Sequence, residues 1–272
     1  MTVTLLTGAT GTLGTALRPR LLDAGHEVRA ASRSPPAEGD GDGIEWIELD
    51  LVEGTGIEAA VDGAEVVVHA ATAPQGDTEA VDVEGTKRLL AAAADAGVSN
   101  FVYPSIVGVG DIPFAYYEHK SAAEEAVVAS DVPESVVRAT QFHEFVDELL
   151  SGVARLPLWP LPTKLESQPI DVGEAADEVA AHATPEPSGR VPAVGGPEVL
   201  TLGEMAKAYR EARGLRRPIV RLPLPGKVAS GFRAGRATCP DRRVGTTTWA
   251  AWLDREYGAG ERDARAASAS PS

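Results

Sequence analysis

Short β-branched segments alternate with helical segments over the first half of the chain, and this alternation restricts the fold more than any other feature of the sequence. The β-branched segments cover residues 3–7, 27–32, 44–49, 64–71, 100–105 and 134–139. Segments of helical periodicity lie between most of them, at residues 12–25, 77–97 and 116–131. Strands that alternate with helices form a parallel sheet covered on both faces. The pattern therefore predicts a doubly wound α/β fold.

The pattern loosens after about residue 140, where prolines separate shorter elements. Helices are predicted at residues 141–156, 172–184, 201–214 and 246–258, and strands at 189–196 and 217–225. We expect one domain over 1–257, with a core over 1–140 and a small C-terminal α+β lobe over about 141–257. Residues 258–272 have little to bury and are expected to be a disordered tail, and residues 34–43 are expected to be a flexible loop.

The charge balance and the single cysteine exclude several classes of function. Asp and Glu number 40 against 25 Lys and Arg, which gives a net charge of −15 and a surface that repels nucleic acid and anionic membranes. Cys239 cannot form an internal disulfide, no Cys/His group has zinc spacing, and no targeting or membrane-spanning segment is evident. We expect a cytoplasmic protein, monomer or homodimer, that takes a small-molecule substrate and binds no metal, nucleic acid or membrane.

The segment "TGATGTLG", residues 7–14, follows the first strand and opens the first helix. Gly8 permits a tight turn, Gly11 lets the backbone approach a pyrophosphate, and Gly14 lets the helix pack closely on the sheet. The helix N-terminus offers N–H groups and the positive end of its dipole to phosphates. In this context the motif predicts Rossmann-type dinucleotide binding, whereas a glycine-rich turn without a ligand is the alternative. The candidate cofactor contacts are Gly8, Thr10, Gly11, Thr12, Leu13 and Gly14.

The end of the second strand indicates which dinucleotide is preferred. An NAD-selective site places an acidic residue there to bind the ribose 2′-hydroxyl, but this chain has Ser32 followed by Arg33. A hydroxyl and a guanidinium suit a 2′-phosphate, so NADP(H) is predicted in preference to NAD(H). The alternative is that Arg33 is a solvated side chain at the start of a loop.

Several motifs occur in an order that resembles a known family, the atypical NmrA-like NAD(P)H-binding branch of the short-chain dehydrogenase/reductase superfamily. They are "TGATGTLG", "LDL" (49–51), "HAAT" (69–72), "FVYPSIVGVG" (101–110), "YYEHKSAAEEAV" (116–127) and "VVRATQFHEF" (136–145). The resemblance covers nearly the whole chain except the tail. It implies that Asp50 and Leu51 border the adenine, and that Ala70, Ala71 and Thr72 line the cofactor.

Tyr116 and Lys120 are the candidate catalytic residues, because the same resemblance implies that a YxxxK pair transfers a proton beside a hydride donor. Residues at i and i+4 share one helix face, so the Lys120 ammonium can approach the Tyr116 phenol and is expected to lower its pKa. Lys120 is also expected to hold the nicotinamide ribose. Tyr117 is the reserve proton donor. The alternative is that both aromatic residues only cover the start of a helix.

The chain departs from the family pattern where a hydroxyl is expected after the fifth strand. Ile106 occupies that position, and Ser105 lies one place early, on the opposite side of the strand. Gln141, Phe142 and His143 follow the sixth strand at its carboxyl end, where ligands bind in open α/β sheets, although a packing role for His143 is the stronger interpretation. The candidate substrate-pocket residues are Ser105, Tyr117, Gln141, Phe142 and His143.

These features together predict an NADP-preferring oxidoreductase that transfers hydride between NADPH and a small carbonyl or enone. A non-catalytic NAD(P)H-binding redox sensor is the first alternative, because Ile106 removes a substrate-polarising hydroxyl. A nucleotide-sugar epimerase or dehydratase is the second. The tryptophans of the C-terminal lobe, at positions 159, 249 and 252, are expected to fill its core.

Overall fold

The computed structural model describes residues 1–36 and 43–268, so most of the predicted loop over 34–43 and the last four residues of the predicted tail lie outside the described residues. The chain divides into two compact units. The first comprises Met1–Ala139 and Val172–Val194, and the second comprises Thr140–Asp171 and the chain from Gly195 onward. The boundary falls near residue 140, as expected, but residues 172–194 belong to the first unit and not to a C-terminal lobe.

The helices and strands are numbered in chain order. Up to residue 139 they are β1 (Val3–Thr7), α1 (Thr12–Asp23), β2 (Glu27–Ser32), β3 (Glu45–Glu48), α2 (Ile57–Val61), β4 (Val66–His69), a π-helix (Glu79–Gly85), α3 (Thr86–Asp95), β5 (Asn100–Ile106), α4 (Ala115–Val128) and β6 (Glu134–Ala139). After residue 139 they are α5 (His143–Val153), β7 (Trp159–Leu161), β8 (Glu166–Ser167), α6 (Val172–Ala181), β9 (Gly189–Arg190), β10 (Leu200–Thr201), α7 (Leu202–Ala212), β11 (Ile219–Arg221), α8 (Lys227–Arg233) and α9 (Trp249–Ser268).

The first unit is built on a seven-stranded sheet with the order β3-β2-β1-β4-β5-β6-β9, in which every neighbouring pair is parallel. The order runs outward from β1 in both directions, which is the doubly wound arrangement that the strand–helix alternation predicts. The predicted Rossmann-type α/β fold is confirmed. The last strand, β9, has only two residues where eight were expected.

Alternation of side chains along the strands gives the sheet two buried faces. Leu5, Phe101 and neighbouring residues of the strands pack with Leu89 of α3 and Ala123 of α4 in one continuous core. Leu6, one residue along β1, is also fully buried and faces the other way.

Helix α6 belongs to the first unit because it packs against α1. An ion pair between Arg20 Nε and Asp177 Oδ1, 2.5 Å apart, joins the two helices. The two partners are 157 residues apart in the sequence. No local pattern in the sequence therefore indicated this pairing.

The helix predicted over 77–97 does not begin as an α-helix. It begins as the π-helix and continues as α3. The Thr86 hydroxyl donates to the Asp82 carbonyl oxygen at 2.5 Å, and Gly85 lies so close to Leu51 that a Cβ at Gly85 would approach Leu51 Cβ within 2.8 Å. Turns of π-helix occur often at functional sites, and this one carries Asp82.

The second unit has its own core, in which Trp159, Trp249 and Trp252 are 0, 2 and 4 % exposed. The predicted packing role of the tryptophans is thus confirmed. Helix α7 begins with a reciprocal capping box formed by Thr201 and Glu204. Helix α9 continues to Ser268, ten residues beyond the predicted end of the last helix at 258. None of the helices within residues 1–36 and 43–268 combines the length and the apolar character that crossing a bilayer requires.

Candidate functional site

The glycine turn between β1 and α1 is held by backbone contacts that no other residue type would allow at two positions. Gly8 has φ +66°, and a Cβ there would lie 2.6 Å from Ala71 N and 2.7 Å from Ala70 O. A Cβ at Gly14 would lie 2.1 Å from Gly8 O. The turn is therefore packed against the residues that follow β4 on one side and against α1 on the other, as the motif predicted.

The middle glycine of the turn, Gly11, lies on open surface. Gly11 is exposed, and a Cβ there would meet only Gly8 O, at 3.3 Å. Among the described residues, no side chain caps the N-terminus of α1 at Gly11 and no acidic residue lies in its first turn. Thr10 and Thr12 are exposed beside it, and Leu13 is half-buried. A cradle of backbone N–H groups without a competing carboxylate fits a dinucleotide pyrophosphate.

Arg33 and Asp50 lie close enough to interact electrostatically on the side of the site where the adenosine is predicted to bind. Asp50 Oδ1 accepts hydrogen bonds from Val52 N–H at 2.8 Å and Glu53 N–H at 3.1 Å. The bonds from Glu53 and Val52, together with the charge of Arg33, lower the pKa of Asp50. Arg33 is exposed, and Ser32 beside it is half-buried at the end of β2. An exposed guanidinium can bind an anionic group through charge-assisted hydrogen bonds.

The Tyr116 hydroxyl is hydrogen-bonded to Thr72, and through it to Asp82. Thr72 donates to Asp82 Oδ1 at 2.6 Å, so its oxygen accepts from the Tyr116 hydroxyl, 3.0 Å away. The second carboxylate oxygen, Oδ2, accepts from Ala73 N–H at 2.9 Å. Asp82 is 1 % exposed. We call these residues, with Lys120, the Asp82 cluster.

Lys120 lies in the same cluster but contacts Asp82 and not Tyr116. Its Nζ lies 3.9 Å from Asp82 Oδ1, 3.3 Å from Pro104 O, and 4.2 Å from the centroid of the Tyr103 ring. Burial lowers the pKa of Lys120 from 10.5 to about 8, although Asp82 and Glu124 favour its charged form. The ammonium is therefore less firmly protonated than an exposed lysine.

The prediction that Lys120 lowers the pKa of Tyr116 is wrong. Burial raises the pKa of Tyr116 to about 12; the hydrogen bond with Thr72 opposes this effect and the charge of Asp82 adds to it. The main physical reason is the burial of the phenol, and a second is the charge of Asp82. Its carboxylate faces the Lys120 ammonium, while the phenol donates to Thr72. Tyr116 is accordingly a proton donor, and not a phenolate, across the physiological range.

His69, at the end of β4, anchors the backbone of Asp82. Because the Thr86 hydroxyl donates to the Asp82 carbonyl, its oxygen accepts from His69 Nε2–H at 2.9 Å, and His69 Nδ1 accepts from the Thr7 hydroxyl at 2.7 Å. Burial, and then the charge of Lys120, lower the pKa of His69 to about 3. His69 is thus a neutral imidazole with its proton on Nε2, and it ties β1, β4 and the π-helix together.

Ser105 belongs to a different group of residues. Its hydroxyl donates to Glu124 Oε2 at 2.5 Å, Arg138 donates two hydrogen bonds to Glu124 at 2.7 and 3.0 Å, and Arg190 lies 3.2 Å from Glu124. Burial opposes ionisation, but hydrogen bonds from Arg138 and Ser105 lower the pKa of Glu124 overall. The Ser105 hydroxyl is therefore committed to this Glu124 cluster, which ties β5, β6 and β9 to α4. Ile106 is half-buried at the end of β5.

Tyr117 differs from Tyr116 in that it is buried. Its side chain is 4 % exposed and its ring packs edge-on against Phe114, with centroids 5.7 Å apart. Tyr116 is half-buried and lines an open cleft, which Tyr117 does not. Of the two tyrosines, Tyr116 is the one placed to meet a small molecule.

The three candidate residues after β6 lie in the second unit. His143 is fully buried, and its ring lies 5.5 and 5.8 Å from the rings of Trp249 and Trp252. This is the packing role that was favoured for it. Gln141 Oε1 accepts from a serine hydroxyl at 3.0 Å, and Phe142 is the residue before α5.

Three buried polar residues of the site were not predicted: His69, Asp82 and Glu124. Two of them had a weak signal in the sequence. Glu124 follows Lys120 by four residues and so shares its helix face, and His69 ends an otherwise apolar strand, "VVVH". Asp82 had none, because only the structure shows that it is the buried carboxylate of its segment. Only the tertiary contacts reveal what each one binds.

Family comparison adds to this geometry. The profile of a family described as NAD(P)H-binding matches residues 8–148, which is more than half of the chain. The chain belongs to the NAD(P)H-binding family. The match includes the glycine turn and all of the Asp82 cluster, and the predicted atypical short-chain dehydrogenase/reductase assignment is confirmed. Membership of the NAD(P)H-binding family agrees with the cradle at Gly11.

Curated relatives with sequence similarity include proteins of mycobacteria. One, an uncharacterized protein of Mycobacterium tuberculosis, is 36 % identical over 100 residues, which are 37 % of this chain and 12 % of that protein. This chain thus spans about an eighth of that relative's length. Another is 27 % identical over 266 residues, covering 81 % of this chain and 72 % of the relative, a 3 beta-hydroxysteroid dehydrogenase/Delta 5→4-isomerase of Mycobacterium tuberculosis.

Solved structures with the same fold include an NADPH-dependent quinone oxidoreductase from Escherichia coli complexed with NADPH. It has a TM-score of 0.77 and 17 % identity, and the alignment covers 93 % of this chain and 99 % of that one. A nucleoside-diphosphate-sugar epimerase from Staphylococcus aureus has a TM-score of 0.75 and 17 % identity with the same coverage. At these identities the likeness concerns the fold alone.

Proposed function

We propose that this protein is an NADPH-preferring oxidoreductase that reduces a small, uncharged carbonyl or enone compound. The observation that carries the proposal is the Tyr116 hydroxyl, which keeps its proton, lines an open cleft and is hydrogen-bonded through Thr72 to a buried carboxylate. A positioned phenol that retains its proton is suited to general-acid catalysis.

The cofactor side of the proposal rests on the glycine turn. Gly11 and the first turn of α1 would hold the pyrophosphate, Arg33 with Ser32 would hold the 2′-phosphate, and Lys120 would contact the nicotinamide ribose. NADPH, when bound, supplies a hydride to the substrate carbon. Tyr116 then donates its proton to the substrate oxygen, which completes the reduction of a carbonyl to an alcohol.

The cleft beside Tyr116 supports a small, uncharged substrate. Its volume is about 380 Å³, which is within the range of small-molecule sites. Its lining includes the carboxylates of Asp77 and Glu79 and the ring of Phe114, and no lysine or arginine among the described residues. An anionic substrate would meet two carboxylates, and His119 is the one basic side chain among the described lining residues, so neutral aldehydes, ketones, enones and quinones are favoured.

Turnover assays with purified protein test the proposed function. NADPH oxidation, followed at 340 nm across a panel of neutral aldehydes, ketones, enones and quinones, is expected with at least one class. Tyr116→Phe removes the proton donor and is expected to lower kcat/KM by a factor of about 10²–10⁴. Tyr117→Phe is the matched control and should retain activity, because Tyr117 is buried against Phe114. Absence of turnover across the panel, or equal losses in both variants, contradicts the proposal.

Cofactor preference is tested by Arg33→Ala. Loss of a charge-assisted bond to the 2′-phosphate is expected to weaken NADPH binding about tenfold, while NADH, which lacks that phosphate, should bind as before. Calorimetric titration with both cofactors provides the comparison, and NADH is the internal control. An equal loss for both cofactors, or none for NADPH, contradicts the role of Arg33.

A non-catalytic NAD(P)H-binding protein is the second candidate, and the Glu124 cluster is what favours it. The only hydroxyl adjacent to Ile106 in β5, that of Ser105, is engaged with Glu124, so this strand offers no obvious group to polarise a substrate carbonyl. Tight NADPH binding without turnover on any substrate of the panel would support this candidate.

A further inference from the structure

The Asp82 cluster forms a continuous line of proton-carrying atoms from Lys120 to Tyr116. Tyr116 Oη lies 3.0 Å from Thr72 Oγ1, and Thr72 Oγ1 lies 2.6 Å from Asp82 Oδ1. Lys120 Nζ lies 3.9 Å from the same oxygen, Asp82 Oδ1. One carboxylate oxygen therefore faces both the Thr72 hydroxyl and the Lys120 ammonium.

From this line of contacts we infer that Thr72 and Asp82 relay a proton from Lys120 to Tyr116 during carbonyl reduction. The inference rests on the proposed function and assigns two further residues to it. Neither residue is required to touch the substrate, so both act through Tyr116. Asp82 is fixed for this task from two sides: Ala73 N–H binds its second oxygen, and the Thr86 hydroxyl binds its carbonyl.

The proton balance of the relay is as follows. As the hydride forms the new C–H bond, the π electrons of the carbonyl move to oxygen, which takes the proton of the Tyr116 hydroxyl. The Thr72 hydroxyl then rotates from Asp82 Oδ1 toward the phenolate left behind and gives it its proton, and Thr72 Oγ1 regains a proton from Asp82 Oδ1. Asp82 receives its proton from the Lys120 ammonium, after Nζ has moved about 1 Å closer to reach hydrogen-bond distance. Lys120 is left as a neutral amine and is reprotonated from solvent.

The pKa values of Lys120 and Tyr116 favour proton transfer from the ammonium to the phenolate. Burial lowers the pKa of Lys120 to about 8 and raises that of Tyr116 to about 12, so a Tyr116 phenolate takes a proton from the Lys120 ammonium spontaneously. Four other titratable groups face Lys120 or act on it: Asp82 of the π-helix, Glu124 of α4, His69 of β4 and Tyr103 of β5. His69 is a neutral imidazole through this range, and burial raises the pKa of Tyr103 well above 10, so neither supplies the proton.

Thr72→Val and Thr72→Ser are a matched pair that tests the relay. Valine has the shape of threonine without the hydroxyl, and serine keeps the hydroxyl. Thr72 is exposed, so both variants are expected to fold. We expect Thr72→Val to lower kcat about 100-fold with little change in the KM of either substrate, and Thr72→Ser to retain most of the wild-type kcat. Asp82→Asn should lower kcat as Thr72→Val does.

The pH profile of kcat separates a relay from a merely structural role. Wild-type kcat is expected to fall above pH about 8, as the Lys120 ammonium loses its proton, and this fall should be absent from the residual activity of Thr72→Val. Wild-type kcat and an unchanged profile in Thr72→Val would overturn the relay while leaving the proposed function intact. Absence of turnover by the wild-type protein, with NADPH binding normal, would instead overturn the proposed function and the relay with it.

Discussion

Acidification from pH 6.5 to 3 is expected to cost this protein about 5 kcal/mol of unfolding free energy through His69 alone. The folded state holds the imidazole neutral down to a pKa of about 3, whereas the unfolded chain protonates it near 6.5. Above 6.5 both states are neutral, and the contribution of His69 is complete. Below 6.5 the unfolded state binds the additional proton, so stability falls by about 1.4 kcal/mol per pH unit. That loss is comparable with the total stability of many domains.

Urea denaturation of wild type and His69→Gln between pH 7.5 and 4 measures this effect. At neutral pH the variant should be less stable, because it cannot bond both Thr7 and Thr86 as the imidazole does. The difference should shrink steadily below pH 6.5, since glutamine does not titrate. His182→Gln is the matched control, because His182 is half-buried and bonded to a serine hydroxyl at the surface. A difference that stays constant with pH would contradict the buried neutral state of His69.

At alkaline pH, Lys120 is expected to act in the same sense as His69 and to stabilise the fold as protons are removed. Its pKa is about 8 in the folded state and 10.5 in the unfolded chain, so between these values the unfolded state binds more protons. Stability from this group therefore rises with pH, by about 3 kcal/mol over the whole interval. Below pH 8 both states are protonated, and the cost of burying the ammonium is constant.

Comparison of wild type with Lys120→Met isolates the contribution of Lys120 to the unfolding free energy, because the other groups that titrate at high pH are present in both proteins. The unfolding free energy of wild type minus that of the variant should increase from pH 8 to pH 10.5. Lys87→Met is the control, because Lys87 is exposed and paired with Glu84 on the helix surface. If the difference for Lys120 is as flat as that for Lys87, the ammonium is not buried as the structure indicates.

Much of the first unit could be predicted from the sequence. Strands β1, β2 and β6 begin and end where their β-branched segments do, because each is a local run that must be buried on both faces of a parallel sheet. The glycine turn was predictable for a similar reason, since the backbone at Gly8 and Gly14 admits no other side chain.

The pairing of elements that are distant in the sequence could not be predicted. Helix α6 has an ordinary amphipathic sequence, and only its pairing with α1 places it in the first unit. The short strands β8 and β10 are defined by each other and have no periodic pattern of their own. Local propensity is a weak guide to such elements, because tertiary contacts decide them.

The same distinction between local patterns and distant contacts applies to the candidate site. The residues proposed to hold a cofactor could be predicted because they belong to a motif of fixed spacing. The state of Tyr116 was not, because it depends on Asp82, which lies 34 positions earlier in the chain. A spacing of four residues places Lys120 on the same face of α4 as Tyr116, but it does not reveal that a carboxylate from another helix lies 3.9 Å from the ammonium.

Because residues 79–85 form a π-helix, the position of Asp82 depends on the number of residues in this segment as much as on their identity. A π-turn accommodates one residue more than an α-turn, and each residue of an α-helix turns the chain by about 100°. Deleting a single residue there would restore regular α-helix and rotate Asp82 away from Thr72 and Lys120 while the downstream helix stayed intact. A one-residue deletion would thus separate the Tyr116 phenol from the Lys120 ammonium in a chain that still folds. A comparison of the site's side chains alone would not detect this defect, because every one of them would still be present.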